Sequence, residues 1–140
     1  MALIIDTREK ENRHITDYFD WLGTPYKVQK LDVGDYSMGG KTAVERKGSL
    51  LEWANNLGKQ HARFKRELER AKEAGIRLVI LLECKRGEIL ENWSSPRTEM
   101  KPQTMLKIMD AWTQKYDVEY RYCYKAMAGE EILKILKENV

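Results

Sequence analysis

Gly34-Asp35-Tyr36 and Val44-Glu45-Arg46-Lys47 hold the residue types with the sharpest chemistry in this sequence. An acid follows a turn glycine, and further along an acid and a lysine stand two residues apart. Phosphodiester cleavage needs such groups. The substrate is anionic and resists attack, so enzymes supply a Lewis-acid metal, an activated water and positive charge on the developing phosphorane. Magnesium takes oxygen ligands, usually one or two carboxylates completed by water and substrate. Asp35 and Glu45 can provide the carboxylates and the backbone carbonyl of Arg46 a further oxygen. Lys47 can position water or neutralise phosphate charge. Asp6 or Glu9 can add a ligand or a supporting contact.

These groups need elements to hold them. Thr42 to Lys47 reads as a strand, in which alternate residues face opposite ways. Glu45 and Lys47 then share one face with Ala43, roughly 6–7 Å apart by strand rise, and Val44 and Arg46 take the other. Gly39-Gly40 marks a hairpin turn back to a short strand at Tyr36 to Met38. Ala2 to Ile5 is an apolar strand delivering Asp6 at its end, and a second strand runs from Tyr26 to about Leu31. Leu78 to Leu82 is apolar throughout, as expected of a central strand covered on both faces, and ends at Glu83. The last strand is Val118 to Tyr122.

Helices fill the intervals. Ile15, Tyr18, Phe19 and Leu22 mark one apolar face of a helix from Asn12 to Leu22, closed by Gly23 and Pro25. Ser49 is an N-cap with Glu52 at the capping-box position, opening a helix with Leu50, Trp53, Ala54 and Leu57 inward. Lys59 to Ala74 buries Phe64, Leu68 and Ala71 and ends at Gly75. Residues 91–102 read as a loop. Gln103 to Lys115 carries Met105, Leu106, Ile108, Met109 and Trp112, more than one stripe needs, so it fits either a dimer face or a fully buried helix. A terminal helix over Glu130 to Glu138 buries Ile132, Leu133 and Leu136. The order is β-α-β-β-β-α-α-β-α-β-α, an α/β domain with a mixed sheet.

The 140 residues suit a single domain over 1–140. Hydrophobic residues at 42% and charged residues at 34% exclude a disordered or membrane-spanning chain. No signal peptide is read, and Cys84 and Cys123 lie in neither a CxxC nor a Cys/His cluster, so a reducing, cytoplasmic setting is expected without zinc or disulfide. Net charge is only +3, but Lys59, Arg63, Lys65, Arg66, Arg70 and Lys72 crowd one segment. That segment is a polyanion surface or a solvated helix laced with ion pairs. His14 and His61 read as surface residues. The tryptophans read as mostly core, with Trp93 either anchoring its loop or stacking on a base.

Each motif has a plainer structural reading. Glu45 and Lys47 can be a surface ion pair worth under about 1 kcal/mol, Asp35 a turn former, Asp6 a loop cap, and Glu83 a solvated strand end. All four together are less economical than a site.

Taken in order, Ile4-Ile5-Asp6-Thr7-Arg8-Glu9, Gly34-Asp35-Tyr36, Val44-Glu45-Arg46-Lys47 and Arg63-Phe64-Lys65-Arg66-Glu67-Leu68 resemble the nuclease domain of the XPF/Hef structure-specific endonucleases, in compact stand-alone form as in bacteria or phage. The resemblance implies a restriction-endonuclease-like fold and Mg2+- or Mn2+-dependent cleavage of branched DNA (flaps, forks, single-strand/duplex junctions) in repair or recombination. Carried over by motif, the catalytic set is Asp35, Glu45, Lys47, Asp6 and Glu9. The metal set is Asp35, Glu45, the Arg46 carbonyl and Asp6. Arg63, Arg66, Arg46 and Arg8 would meet DNA, with Arg8 also ion-paired in the site. The family aspartate four residues after the lysine is Leu51 here, with Glu52 one place on. No helix-hairpin-helix or helicase domain is read. A homodimer is an expected partner and a membrane is not. The alternatives are a non-catalytic DNA-binding scaffold of the same fold and a nuclease without structure selectivity.

Overall fold

Two apolar faces and one polar edge organise the chain. The structure, a computed structural model, describes residues 2–90 and 93–138. Its elements are β1 (Leu3–Ile5), α1 (Arg13–Leu22), β2 (Tyr26–Val28), β3 (Tyr36–Ser37), β4 (Thr42–Lys47), α2 (Leu50–Leu57), α3 (His61–Glu73), β5 (Arg77–Leu82), α4 (Arg86–Leu90), α5 (Pro102–Tyr116), β6 (Glu119–Tyr122) and α6 (Ala128–Lys137), with a 3-10 turn at Lys125–Met127 before α6. The strands form one sheet in the order β2-β1-β3-β4-β5-β6. β3 runs antiparallel to β1 and β4; the other pairings are parallel. This is the expected mixed α/β sheet flanked by helices.

Strand alternation divides the core. Ala43, Leu78, Ile80 and Leu82 pack with Trp53, Phe64, Leu68, Met105 and Trp112 of α2, α3 and α5. Val44, Val79 and Leu81 point the other way, joining Leu3, Ile5 and Tyr36 under α1 and α6. β5 is therefore covered on both faces, and its unbroken apolar run follows from that position. Burial of such side chains contributes about 1.5–3 kcal/mol each and holds the sheet rigid behind its polar edge.

The register brings the chemistry to that edge. Ile5 pairs with Tyr36, Tyr36 with Val44, and Val44 with Val79. β1, β4 and β5 point the same way, so Asp6, Glu45 to Lys47 and Glu83 emerge together. Asp35 reaches the same edge from the start of β3. Its N–H donates to the Val44 carbonyl at 2.7 Å, and its carbonyl accepts from Asp6 N–H at 2.8 Å. Gly34 makes this approach possible. It sits at φ +77°, and a Cβ there would lie 2.8 Å from the Ala43 Cβ. Gly34→Ala is expected to destabilise the fold by at least about 1–2 kcal/mol, read as a lower urea midpoint at unchanged slope; an unchanged midpoint would show that the turn is not tight.

Several expectations need correction. β2 stops at Val28 rather than Leu31, because the Leu31 N–H donates to Asp6 Oδ1 at 2.7 Å and its carbonyl accepts from Arg8 at 2.9 Å. Those groups are taken from the sheet ladder. The five-residue α4 went unread, being too short to show a helical period. Trp21 is 81% exposed, not core, since it lies about 240° around the helix from Ile15. On α5, Met105, Met109 and Trp112 are buried in the chain's own core, while Leu106 and Ile108 are half-buried against it. Of the 91–102 loop, residues 91 and 92 lie outside the described residues. Trp93 packs against the core, in keeping with the loop-anchor reading. Both cysteines are free, and burial pushes their thiols up, Cys84 to about 11 and Cys123 to about 12.

Candidate active site

A cleft of about 530 Å³ opens at the polar edge of β4 against α2 and α3. Glu45 and Lys47 project into it from adjacent same-face positions, and both are buried. Lys47 Nζ lies 3.0 Å from Glu45 Oε2 and 5.0 Å from the centre of the Phe64 ring. The aromatic face and the carboxylate hold the ammonium at a defined point. Asp35 enters the same cleft from the turn before β3, with Oδ2 accepting the Arg46 N–H at 2.8 Å. One backbone amide of β4 thus orients the carboxylate beside it.

Three carboxyls, Asp35, Glu45 and Glu67, gather around the one lysine of the cleft. Burial, followed by the charges of Glu45 and Glu9, holds the Asp35 carboxyl well above its ordinary value, against the opposing pull of Lys47 and the Arg46 N–H. Burial also pushes Glu45 up, but Lys47 and a hydrogen bond with Glu67 outweigh it, and Glu45 stays ionised. Lys47 is pushed down by burial and more than restored by Glu45 and Asp35. Glu67, on α3, is pushed up to about 9 by burial, by the Glu45 charge and by its hydrogen bond to Glu45. Its Oε2 accepts from Gly34 N–H at 3.3 Å. Sequence reasoning named Glu67 within the Arg63 to Leu68 motif but gave it no role in the site. The available signal was its spacing, one turn beyond Arg63 and between Phe64 and Leu68, which keeps it beside the buried stripe.

Asp6 lines the cleft, yet both its oxygens are engaged. Oδ1 accepts from Leu31 N–H, and Oδ2 accepts from Arg8 Nε at 2.8 Å and Arg8 N–H at 3.2 Å. Burial raises its carboxyl, but the Arg8 and Leu31 hydrogen bonds outweigh that and lower it. This is the ion pair expected of Arg8.

Glu9 and Arg46 lie across the sheet from Glu45. Arg46 donates Nε to Glu9 at 2.6 Å, Nη1 to Glu83 at 2.7 Å and Nη2 to the Lys10 carbonyl at 2.7 Å. Tyr36 donates its hydroxyl to Glu9 at 2.5 Å, and His14 meets Glu83 at 2.8 Å. The Arg46 side chain is thus committed to a buried network, and His14 is a half-buried member of it, not a surface residue. The strand turns the Arg46 backbone toward the cleft. The Val44 carbonyl faces β3 and the Lys47 carbonyl faces β5, so alternation directs the Arg46 carbonyl past the end of β3, toward Asp35.

Around the rim, Arg63, Arg66 and Arg70 of α3 and Arg8 line the cleft. Arg63 and Arg66 are exposed and lie in no salt bridge among the described residues. Glu52 is also on the rim. Its Oε1 accepts from Gly48 N–H at 2.8 Å while its own N–H donates to Ser49, so it closes the cap of α2.

The donor set suits a hard divalent cation. Asp35 Oδ1 is outside any hydrogen bond among the described residues, Lys47 and Glu67 hold the Glu45 carboxyl below its ordinary value, and the Arg46 carbonyl is directed toward Asp35. Among the described residues no group of three or more Asp, Glu, His or Cys converges as a ready-made ligand shell. Magnesium and manganese match this sparse arrangement, because such ions keep several waters; zinc, with its preference for a closed nitrogen and sulfur shell, does not.

A mixed sheet with two acids and a lysine at one strand edge, framed by arginines, defines a class, and the comparisons with known proteins agree with it. The ERCC4 domain profile matches residues 5–136. The chain belongs to the ERCC4 domain family. Among solved structures it is similar to XPF from Aeropyrum pernix, with a TM-score of 0.76 at 18% identity over 98% of this chain and 64% of that one. XPF from Aeropyrum pernix in complex with DNA superposes with a TM-score of 0.73 at 20% identity, over 97% of this chain and 63% of that one. The fold is that of the XPF nuclease domain, and the chain spans just under two thirds of those XPF chains. No curated protein sequence matches.

Proposed function

We propose that this protein is a metal-dependent DNA endonuclease acting on branched or single-strand/duplex junction DNA. One observation carries the reading: Asp35, Glu45 and Lys47 meet in a single cleft whose rim carries Arg63 and Arg66, exposed and in no salt bridge among the described residues. A structural ion pair would not need the second acid or the exposed cations.

Asp35, Glu45 and the Arg46 carbonyl would hold Mg2+ or Mn2+. When bound, such an ion supplies Lewis-acid polarisation of the phosphate and lowers the pKa of water. The chain's own residues do the rest. Lys47, fixed by Glu45 and Phe64, places a positive charge and three donors where the phosphate gains charge. The Arg46 N–H fixes the Asp35 carboxylate, and Asp6 holds Arg8 and the Leu31 backbone so that the rim keeps its shape. Arg63 and Arg66 draw the DNA backbone into the cleft. DNA as substrate implies an intracellular setting; no helix among the described residues is long and apolar enough to cross a membrane.

The test is a panel of flap, fork, Holliday and linear DNAs incubated with magnesium, manganese or EDTA. Cleavage of the branched forms with either metal and none with EDTA is expected. Equal cutting of linear duplex would overturn structure selectivity. DNA binding without cutting, in either metal, would make the protein a scaffold.

Arg63→Ala and Arg66→Ala should each weaken DNA binding on every sequence alike. Each should also lower the slope of log K against log salt by about 1, measured by fluorescence anisotropy across a salt series. An unchanged slope would remove that arginine from the interface.

A further inference from the structure

We propose that the duplex arm of the DNA lies along a track of cations that leaves the cleft over α3 and ends in a second groove, where Lys59 and Arg97 grip its phosphates. The proposal rests on the reading of the cleft as a DNA site and adds the path by which the substrate leaves it.

Arg63, Arg66 and Arg70 line the cleft and are exposed. At about 100° per residue they fall within an arc of about 60° on α3 and span about 10 Å along its axis. Arg70 also donates Nε to the Asp32 carbonyl at 3.3 Å, which fixes the far end of this stripe. The stripe continues past the start of the helix. Around the turn from α2 to α3, neighbouring residues serve two cavities: Asn56 and Gln60 line the cleft, while Asn55 and Lys59 line a groove of about 460 Å³ beside it. Pro96, Arg97 and Thr98 form the far wall of that groove. The wall is an ordered turn. Ser95 bridges to Thr98, the Thr98 N–H donates to the Ser95 carbonyl at 3.2 Å, and the Arg97 N–H donates to Ser95 Oγ at 3.2 Å. Met100 packs it onto the α2–α3 turn, with its methyl 3.4 Å from where a Cβ on Gly58 would stand. Lys59 and Arg97 are exposed and lie in no salt bridge among the described residues. Glu99 is the single acid lining the groove among the described residues, so two cations there face one carboxylate.

The occupant follows from what the track offers. Among the described residues none lining the groove is aromatic, and the Phe64 ring at the cleft is buried and covered by Lys47. Single strands are held by bases stacking on aromatic rings. Charge without a stacking platform fits the backbone of a duplex, whose bases stack on one another.

Binding is measured without divalent metal, so that no strand is cut, by fluorescence anisotropy on a fork and on one of its strands alone. Arg97→Ala and Lys59→Ala should each lower the slope of log K against log salt on the fork by about 1, and the double variant by about 2. The slope on the single strand should stay the same. Both side chains are exposed, and alanine keeps the Arg97 N–H bond to Ser95, so the turn survives the substitutions. Lys134→Ala removes an exposed cation from α6 on the other face of the sheet and should change neither slope. Single phosphates of the duplex arm are then replaced by neutral methylphosphonates. A defined position on the arm should weaken binding in the wild type and cease to do so in Arg97→Ala. Unchanged fork slopes in both variants would overturn the proposal, and so would the same methylphosphonate pattern with and without Arg97. Equal slope changes on fork and single strand would overturn it too, by giving the track to a single strand. If the wild-type protein binds the fork in the expected way yet cuts no DNA with magnesium or manganese, the endonuclease reading fails and the track stands.

Discussion

Glu45→Gln is expected to slow DNA cleavage by about 10²–10³-fold while leaving the fold intact, and Lys47→Ala by a similar factor. The two residues share one ion pair of 3.0 Å, but their roles differ. Glutamine keeps the volume of Glu45 and can still bond to Lys47 and Glu67, so packing survives. What it removes is the ionised oxygen that faces the cation. Alanine at Lys47 removes a buried ammonium and its donors, leaving Glu45 without its main countercharge. Because they act as a unit, the double variant should be little worse than either single one. Single-turnover cleavage of a flap DNA, with circular dichroism melts as the folding control, measures this. Full activity in Lys47→Ala would end the assignment of Lys47, and multiplicative losses would show that the two act independently.

The logic behind that pair was legible in the sequence because it depends on local geometry alone. A strand of six residues has two faces, so Glu45 and Lys47 had to share one, and Arg46 had to take the other. Asp35 was visible through its glycine, whose φ of +77° is a backbone property that the residue type announces. Partners that are far apart in sequence were not legible. Arg46 meets Glu9 and Glu83, each 37 residues away, and His14 meets Glu83 across 69. No periodicity encodes such pairings. Glu67 was hidden for a different reason: in a helix as charged as α3, one of three glutamates among five Lys and Arg reads as solvent, and only the packing of Phe64 and Leu68 turns it inward. Trp21 shows the converse error, in which residue type outweighed helical angle. Asp6 was found as a strand-end acid, but its commitment to Arg8 and the Leu31 amide depends on where residues 29–32 run, which composition does not determine.

Arg46→Met should destabilise the protein by about 3–5 kcal/mol, the range for breaking a buried ion pair by removing one partner. For a chain of this size that is a fall in melting temperature of about 10–20 °C. The guanidinium is 7% exposed and joins Glu9 and Glu83, themselves at 8% and 2%. Burial pushes Arg46 down, but the Glu9 and Glu83 carboxylates outweigh it and raise its pKa further above the ordinary value. Methionine fills much of the space and leaves two buried carboxylates facing each other without a cation. That uncompensated charge, rather than lost packing, is the cost. The triple variant Arg46→Met, Glu9→Gln, Glu83→Gln should therefore regain a large part of the stability, although it removes still more hydrogen bonds. Differential scanning calorimetry of the single and triple variants decides between the two causes, and a triple variant no more stable than the single one would assign the loss to packing. DNA affinity supplies the second half of the test. Because the side chain points away from the cleft, Arg46→Met measured well below its melting temperature should bind DNA with an unchanged salt slope, unlike Arg63→Ala. A slope lowered by about 1 would instead place the guanidinium on a phosphate. Arg46 then acts on both faces of the sheet by different atoms: its side chain locks β4 to β1 and β5 from behind, and its backbone N–H and carbonyl hold Asp35 and the cation site in front.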